Sequence, residues 1–408
     1  MISFAKKPIN IETIGLTIIL FADICLYNEK WVYLFIAVSG LGIFGILFSI
    51  LIHNQKFIIY KKSYPIWLTF TYALFIIYQL VALRAGNATW DTLVWRYVEN
   101  LCIYSVIINN LRQGKRFDTP FILAGLFSIA LLLKNELSII LSGQIRIGTS
   151  LSGNENTVGF AFGVISVIVM WTYYKENCKR KYKMVLFVLF TVFMLLTGSK
   201  KTLFFLIANV FLYFYYNRDK ISGRIKVVIV IGLMVYAIFG IDFFYNILGH
   251  RIIDAVETLL YGKNTIKAAY SYSTDVRRNM IKEALQLYKE HPILGGGYNY
   301  FLLKTRFPYS YSHCNYTELL CSFGIFGTVI FYSRHLYQIL YFLKLHCFRR
   351  VYDKEIMCLG IVFTLMIMIL EVAAVTFSAQ SLWYLPITIS AACFDYIYAE
   401  KHKIIRGI

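Results

Sequence analysis

Charged side chains are scarce in this chain. They make up 15% of its 408 residues, whereas 58% of the residues are hydrophobic and the mean hydropathy is +0.61. Soluble globular proteins keep roughly 25% of their residues charged, so the composition excludes that class and predicts a polytopic membrane protein. Acidic residues are the scarcer sign, with 22 Asp and Glu against 41 Lys and Arg. The meaning of the net charge of +19 therefore depends on where the basic residues lie.

Several chemical signatures are also missing. The eight cysteines are scattered, and Cys314 has no obvious disulfide partner in the outer loops. The seven histidines lack metal-ligand spacing, no Asp-x-Asp motif or cluster of outer carboxylates suits Mg²⁺, and no glycine-rich loop is of the nucleotide-binding type. No internal repeat or low-complexity tract is visible. The sequence thus predicts neither a metal site nor a cofactor.

The apolar segments define a topology. More than half of the 41 Lys and Arg residues lie at the two termini and in alternate connections, which the positive-inside rule places in the cytoplasm. The basic excess is then a topology signal, and nucleic-acid binding is not expected. The first span is predicted to be retained, because Pro8, Asn10 and Glu12 precede it and no small-residue cleavage site follows. Spans are predicted at 11–27, 31–52, 64–83, 91–109, 119–141, 157–174, 184–197, 200–216, 226–241, 316–342, 356–376 and 381–398.

One outer connection, residues 242–315, is far longer than the others. Its pattern predicts an amphipathic helix that Ser273 or Thr274 caps and that ends at Pro292. At 100° per residue, Arg277 falls in the middle of the apolar half of this helix. A guanidinium there is costly unless an anion meets it.

A short span ends in a basic turn on the same side of the membrane. The apolar run 184–197 gives about 21 Å of helix, which is less than the hydrocarbon core of roughly 30 Å. The turn 197–201 is therefore predicted to lie below the outer surface, in a cavity lined by protein. Ser199 would cap the next helix, whose free N–H groups, with Lys200 and Lys201, would face an anion. An interfacial loop with snorkelling lysines is an equally good interpretation.

The loop 146–156 is the second candidate on the outer side. Its glycine and asparagine residues predict turns, and it carries Arg146 and Asn156. A single arginine in such a loop is most often solvated. The functional interpretation gains weight because other charges fall in or near the outer halves of spans, where they typically mark a functional cavity. These are Arg84, Arg96, Glu99, Lys134, Glu136 and Glu371.

A candidate base follows the amphipathic helix. His313 precedes the tenth span, and Glu318 lies five residues further on. Taken alone, one histidine at an interface is more often structural. Together with Arg277, Arg146 and Lys200, it forms a set with several cations for a phosphate and one base for a hydroxyl. Such a set suits a transferase that uses a membrane-borne pyrophosphate donor.

The ordered landmarks resemble the O-antigen ligase and polysaccharide polymerase (Wzy-type) superfamily of polytopic membrane glycosyltransferases. That family shows an outer-loop Arg, a Pro-x-x-Gly-x-Gly turn fifteen residues on, and a His-Asn-type motif that runs into a helix with Gly-x-x-Gly. Here the matching positions are Arg277, Pro292, Gly295, Gly297, His313, Gly324 and Gly327, and Gly296 lies between the two glycines of the turn.

The family's Ser-Arg turn resembles Ser199 and Lys200, and its Arg…Gly…Asn-Pro-Asn loop resembles the stretch from Arg146 to Asn156. Three positions depart from the pattern. Lys200 stands in place of Arg, Glu155 in place of Pro, and Cys314 in place of the Asn that follows the His. Lysine keeps the charge but loses the bidentate fork. Asn315 is the candidate replacement for the displaced Asn.

The resemblance implies an all-α fold of the C-type glycosyltransferase kind, with about 12 transmembrane helices in one domain, 1–408, and the structured extracytoplasmic loop 242–315. It also implies a bacterial plasma-membrane location with cytoplasmic termini and an outward-facing site. The substrate would be a polyprenyl-pyrophosphate-linked oligosaccharide, transferred without a metal and with inversion. A flippase, a chain-length regulator protein and membrane lipid would be the partners.

The resemblance also implies a role for each of the matching residues. Arg277, Arg146, Lys200 and Lys201 would hold the pyrophosphate. His313, assisted by Glu318, would deprotonate the acceptor hydroxyl. Gly295, Gly296 and Gly297 would form a loop that closes over the substrate.

Three functions stay open. A polymerase of capsule or O-antigen repeat units and an O-antigen ligase differ in the acceptor, and the Lys, Ile, Tyr and Asn bias of the chain favours the polymerase. A transporter or flippase of lipid-linked sugars also fits many spans with intramembrane charges. The lack of repeat symmetry and the single long outer loop weigh against it.

Overall fold

The computed structural model describes most of the chain, and every regular element in the described part is a helix. The described residues are 10–27, 29–53, 60–81, 90–142, 147–152, 154–176, 181–217, 268–306, 311–347, 353–377 and 381–406, together with isolated positions between 225 and 253. The all-helical prediction is thus confirmed for these residues.

Fourteen described helices of four residues or more follow one another along the chain. They are α1 Ile11–Cys25, α2 Val32–Ile52, α3 Tyr64–Val81, α4 Trp90–Arg112, α5 Thr119–Ser142, α6 Thr149–Ser152, α7 Glu155–Lys175, α8 Tyr182–Leu196, α9 Thr202–Asn217, α10 Ala268–Glu290, α11 Tyr300–Lys304, α12 Asn315–Cys347, α13 Lys354–Leu370 and α14 Ser381–Arg406. Each predicted span except 226–241, which lies mostly outside the described residues, coincides with one of them.

Four stretches among the described residues are long and apolar enough to cross a membrane. They are Val32–Ile52, Asp118–Ser138, Glu155–Lys175 and Asn315–Leu345. Three shorter apolar helices are Tyr64–Tyr78, Tyr182–Leu196 and Thr202–Asn217. A helix of about 20 apolar residues matches the hydrocarbon thickness. The chain is therefore a membrane protein, and the predicted number of about twelve spans stays a prediction.

Helix α7 is the centre of the packing. Every residue from Thr157 to Thr172 is buried, and α7 contacts α5, α8, α9 and α14. A helix that is apolar around its whole circumference is expected in such an enclosed position. Its amino-terminal end, where Asn154 caps the helix, lies beside the candidate site.

A buried ion pair joins α12 to α14. The Arg334 guanidinium donates to the Asp395 carboxylate at 2.7 Å, and both side chains are almost completely buried. The same carboxylate accepts the hydroxyls of Tyr60 and Tyr104 and the backbone N–H of Tyr64. A buried charge is tolerated when its lone pairs are met in this way. The network ties α3, α4, α12 and α14 together.

The amphipathic helix in the long connection is present, but it begins earlier than its sequence predicted. Helix α10 starts at Ala268, so Ser273 and Thr274 lie inside it rather than at its cap. Two alanines, the best helix formers, open the added turns. Met280, Ala284 and Leu287 form its buried stripe and pack with Tyr300, Phe301 and Cys321.

The segment after α10 enters a break in α12. At Gly324 the helix has φ 62° and ψ −166°, which interrupts its hydrogen-bond ladder. The freed carbonyls of Cys321 and Ser322 accept the N–H groups of Gly296 and Gly297 at 2.9 Å. In return, Pro292 and Ile293 carbonyls accept the N–H groups of Ile325 and Phe326. The two interrupted backbones thus satisfy each other, as non-helical backbone at membrane depth requires.

Candidate active site

Arg277 lies near the middle of α10, nine residues after the helix begins at Ala268. It continues the stripe of Met280, Ala284 and Leu287 by one turn, and unlike them it is exposed. The buried stripe continues through the partly buried Val276, and Arg277, the next residue around the helix, is exposed. From Arg277 to the last residue of α10, Glu290, the helix rises about 20 Å, so the arginine lies well away from the docked segment at Pro292.

The basic turn between α8 and α9 supplies the second cation. The Lys201 ammonium lies 4.9 Å from the ring centroid of Trp383, at the start of α14. Burial and the nearby charge of Arg277 lower the pKa of Lys201 to about 8. Lys200 precedes it, and its carbonyl accepts the Leu203 N–H. The charge of Lys201 thus interacts with that of Arg277.

The turn itself is buried and bonded to the start of α7. Ser199 donates its hydroxyl to the Asn156 side-chain oxygen at 2.8 Å. Thr202, at the first position of α9, donates both its N–H and its hydroxyl to the Ser199 carbonyl. Gly159 permits the close approach, because a Cβ there would fall 2.4 Å from the Thr197 hydroxyl oxygen. Asn156 is thus a structural support of the basic turn.

His313 faces both cations from a loop. Its backbone has the left-handed conformation, with φ 61°, which costs a side-chain-bearing residue about 1–2 kcal/mol. The half-buried imidazole packs edge-on against Tyr311, with ring centroids 4.4 Å apart. Burial first, and then the charges of Arg277 and Lys201, lower the pKa of His313 to about 4. The imidazole is therefore neutral at pH 7 and available as a base.

Glu318 and Asn315 hold the histidine loop. The buried Glu318 carboxylate accepts the Ser312 N–H at 2.6 Å. The Asn315 side-chain oxygen accepts the N–H groups of Thr376 and Phe377, while its backbone N–H donates to carbonyls of the same 371–377 connection. Glu318 therefore holds the backbone just before His313, and Asn315 ties the backbone just after it to the 371–377 connection.

The remaining predicted cation, Arg146, lies outside the described residues. The loop that follows it is anchored by Glu136, which is fully buried at a kink in α5. The Glu136 carboxylate accepts the N–H groups of Gly148 at 2.7 Å and Ser150 at 2.8 Å. The Ile147 N–H lies 3.5 Å from the Leu196 carbonyl. This loop therefore contacts the end of α8, next to the basic turn.

The charge balance of the site indicates an anionic ligand. Within the described residues, no carboxylate forms an ion pair with Arg277 or Lys201, and the nearby base is neutral. A phosphate would stabilise these two cations, and the charge of Arg277 already lowers the pKa of Lys201. Among the same residues, no group of three or more His, Cys, Asp or Glu side chains is arranged to hold a metal ion.

Sequence reasoning missed two aromatic contributors. Trp383 carries the ring beneath Lys201, and Tyr311 carries the ring against His313. Burial raises the pKa of Tyr311, so its phenol stays protonated and can donate a hydrogen bond. The contact of Tyr311 with His313 could have been predicted, because the two residues are only two positions apart. The contact of Trp383 with Lys201 could not, since 182 positions separate them.

One comparison with known proteins bears on this site. A family model described as O-antigen ligase matches residues 184–332 of the chain. The matched segment begins in α8 and ends in α12, so it contains Lys201, Arg277 and His313. The match supports membership of the chain in the O-antigen ligase and polysaccharide polymerase superfamily. Among curated proteins, none matches the chain.

Proposed function

We propose that this member of the O-antigen ligase and polysaccharide polymerase superfamily polymerises the repeat units of a surface polysaccharide. The donor is a glycan on a polyprenyl diphosphate, and the acceptor is a sugar hydroxyl of a second lipid-linked unit. The observation that carries the proposal is the convergence of Arg277 and Lys201, which lack an ion pair among the described residues, on a histidine that is neutral at pH 7.

The reaction is a single displacement. His313 accepts the proton of the acceptor hydroxyl as its oxygen forms a bond to the anomeric carbon of the donor. The bond from that carbon to the diphosphate oxygen breaks, and its electron pair leaves with the diphosphate. Attack opposite the leaving group inverts the anomeric carbon.

The cations stabilise the leaving group. Negative charge builds on the diphosphate as the bond breaks, and Arg277 can meet it with two parallel N–H groups. Lys201 adds a second positive charge, and its low pKa rises again when the diphosphate binds. Arg146 and Lys200 stay predicted members of the same cation set. Because these side chains supply the positive charge, the proposal assigns no role to a metal ion.

The polymerase is preferred to a ligase for one reason of composition. The Lys, Ile, Tyr and Asn bias of the chain is typical of AT-rich genomes, including Gram-positive bacteria, which lack lipid A core. The same chemistry with another acceptor would make a ligase. A capsule or O-antigen polymerase that faces the outer side of the plasma membrane is therefore the assignment to test.

The decisive experiment uses purified protein and a defined lipid-linked repeat unit as both donor and acceptor. Wild-type protein should give polymer in the presence of EDTA, and His313→Ala should give none while remaining folded in the membrane. Normal polymer from His313→Ala would refute the proposed chemistry. Loss of wild-type activity in EDTA would refute the metal-free stabilisation, and transfer only to a lipid A core acceptor would make the protein a ligase.

A further inference from the structure

A hydrogen-bonded chain of buried and partly buried side chains connects the start of α12 to the connection that follows α13. The Asn315 side-chain N–H donates to the Tyr332 hydroxyl at 3.0 Å, and that hydroxyl donates to the Glu371 carboxylate at 2.8 Å. The second carboxylate oxygen of Glu371 accepts the Thr376 hydroxyl. Glu371 and Thr376 are completely buried. The chain therefore closes a ring between α12 and the 371–377 connection.

This ring is continuous with the backbone that carries His313. The Asn315 N–H lies 2.8 Å from the Glu371 carbonyl and 3.1 Å from the Ala374 carbonyl. The Asn315 side-chain oxygen accepts the N–H groups of Thr376 at 2.8 Å and Phe377 at 3.1 Å. Asn315 thus fixes the backbone that follows His313 through three groups, which are its backbone N–H, its side-chain oxygen and its side-chain N–H. On the other side of His313, Glu318 holds the Ser312 N–H.

The two anchors explain how the unfavourable backbone of His313 persists. A left-handed residue relaxes unless the surrounding structure prevents it. Here the residues before and after His313 are fixed separately, one by Glu318 and the other by the Asn315 ring. Relaxation of the loop would change the position of the imidazole relative to Arg277 and Lys201, whose charges act on it in the structure.

We propose that Glu371 and Tyr332 are positioning residues for His313. They touch neither donor nor acceptor, and they act by holding Asn315, which fixes the backbone of the base. This inference rests on the proposed function of His313. It adds a specific expectation, because loss of positioning slows the chemical step without weakening the binding of the diphosphate by Arg277 and Lys201.

Tyr332→Phe is the direct test, because it removes one hydroxyl and keeps the ring. In the polymerisation assay, kcat should fall by about 10- to 100-fold, the size of effect expected when a reacting group is displaced by about 1 Å. The KM for the lipid-linked donor should stay within about twofold of the wild-type value. Thr376→Val, which removes the partner of the other Glu371 oxygen, should act in the same direction.

Tyr316→Phe is the matched control. The Tyr316 ring stacks on that of Tyr332, but its hydroxyl donates to the Met368 carbonyl of α13 at 2.7 Å. The Tyr316→Phe variant also loses one hydroxyl that links α12 to α13, but it keeps every hydrogen bond of Asn315 and Glu371. Its kcat should stay within about threefold of the wild-type value. Thermal unfolding of each variant in detergent shows whether the proteins are equally folded.

The outcomes separate the two proposals. If His313→Ala is inactive while Tyr332→Phe and Thr376→Val keep wild-type kcat, the positioning role is wrong and the function of His313 stands. If the two variants raise the donor KM instead of lowering kcat, or if Tyr316→Phe loses as much kcat as Tyr332→Phe, the positioning role is also wrong. If His313→Ala polymerises normally, both proposals fail.

Discussion

Gly295 and Gly324 lie back to back at the break in α12. A Cβ on Gly295 would fall 2.5 Å from the Gly324 nitrogen, and a Cβ on Gly324 would fall 2.6 Å from the Gly295 nitrogen. Both residues have positive φ, 76° and 62°. The Pro-x-x-Gly turn and the Gly-x-x-Gly helix are therefore the two halves of one joint, which fixes the rod of α10 against α12.

The joint predicts a strong effect of Gly295→Ala. The added Cβ would also fall 2.4 Å from the Phe323 nitrogen, and backbone atoms on both sides cannot give way cheaply. The thermal unfolding temperature of Gly295→Ala in detergent should lie well below that of Gly114→Ala. Gly114 has a similar φ of 61° but open space around its Cβ position, so its substitution costs only about 1–2 kcal/mol of backbone strain. Equal shifts for the two variants would contradict the tight joint.

Arg277 and Arg278 provide a second test with a built-in control. Arg277→Ala should lower kcat/KM by about 10² to 10³, the typical cost of removing one preorganised donor to a developing charge. Arg278 is also exposed but lies 100° away around α10, so Arg278→Ala should lose less than about threefold. Polymer formation from the lipid-linked repeat measures both. Similar losses in the two variants would show that net charge alone matters.

The pH profile of kcat/KM should be bell-shaped. His313 must be unprotonated to act as a base, so activity should fall as the pH drops through about 4, its lowered pKa. Lys201 must be protonated to attract the diphosphate, so activity should fall as the pH rises through about 8. Rates measured from pH 3.5 to 9.5 check both limbs.

Lys201→Arg identifies the alkaline limb. Arginine stays protonated at all these pH values, so the variant should keep activity at pH 7 and lose the fall near pH 8. Lys201→Met should instead move the acid limb upward, because one of the charges that lowers the pKa of His313 is gone. An alkaline limb that survives in Lys201→Arg would have to come from another group.

The Arg334–Asp395 pair predicts a change in stability rather than in chemistry. Asp395→Asn leaves the buried Arg334 guanidinium without its counter-charge, a loss that typically costs about 3–5 kcal/mol. The control is Asp353→Asn at the partly exposed pair with Lys175, 3.8 Å apart, where asparagine still caps α13. Unfolding in detergent should separate the two variants clearly. Comparable stability of the two variants would show that the buried Arg334–Asp395 pair does not stabilise the fold.

Local features of the site were readable from the sequence because they depend on short-range physics. The apolar stripe of α10 follows from helical periodicity, and the end of the helix follows from Pro292 and the glycines. Arg277, His313 and the short span before Lys201 were recognised through the order of motifs, and all three lie within the segment 184–332 that the O-antigen ligase family model matches. None of these required knowledge of which helices touch.

One assignment failed on a local signal, and others were missing because their partners are distant in the chain. The start of α10 was misplaced because serine and threonine are typical helix caps. The helix begins at Ala268 and runs through Ser273 and Thr274. The buried Glu136 was noted as a charge, but its two N–H partners in the following loop were not predicted. The closure of the glycine turn over the substrate stays a prediction, and the hydrogen bonds of the turn to carbonyls of α12 were not predicted.

The sequence by itself determined that this is an all-helical membrane protein with an arginine, a basic turn and a histidine in a fixed order. Only the tertiary structure decided that Lys201 interacts with Arg277, that the Trp383 ring lies beneath Lys201, and that Tyr332 links Glu371 to Asn315. The physical reason is that hydropathy and helix propensity act between near neighbours in sequence. Hydrogen bonds and charges in a buried site depend on distances in space, which packing alone sets.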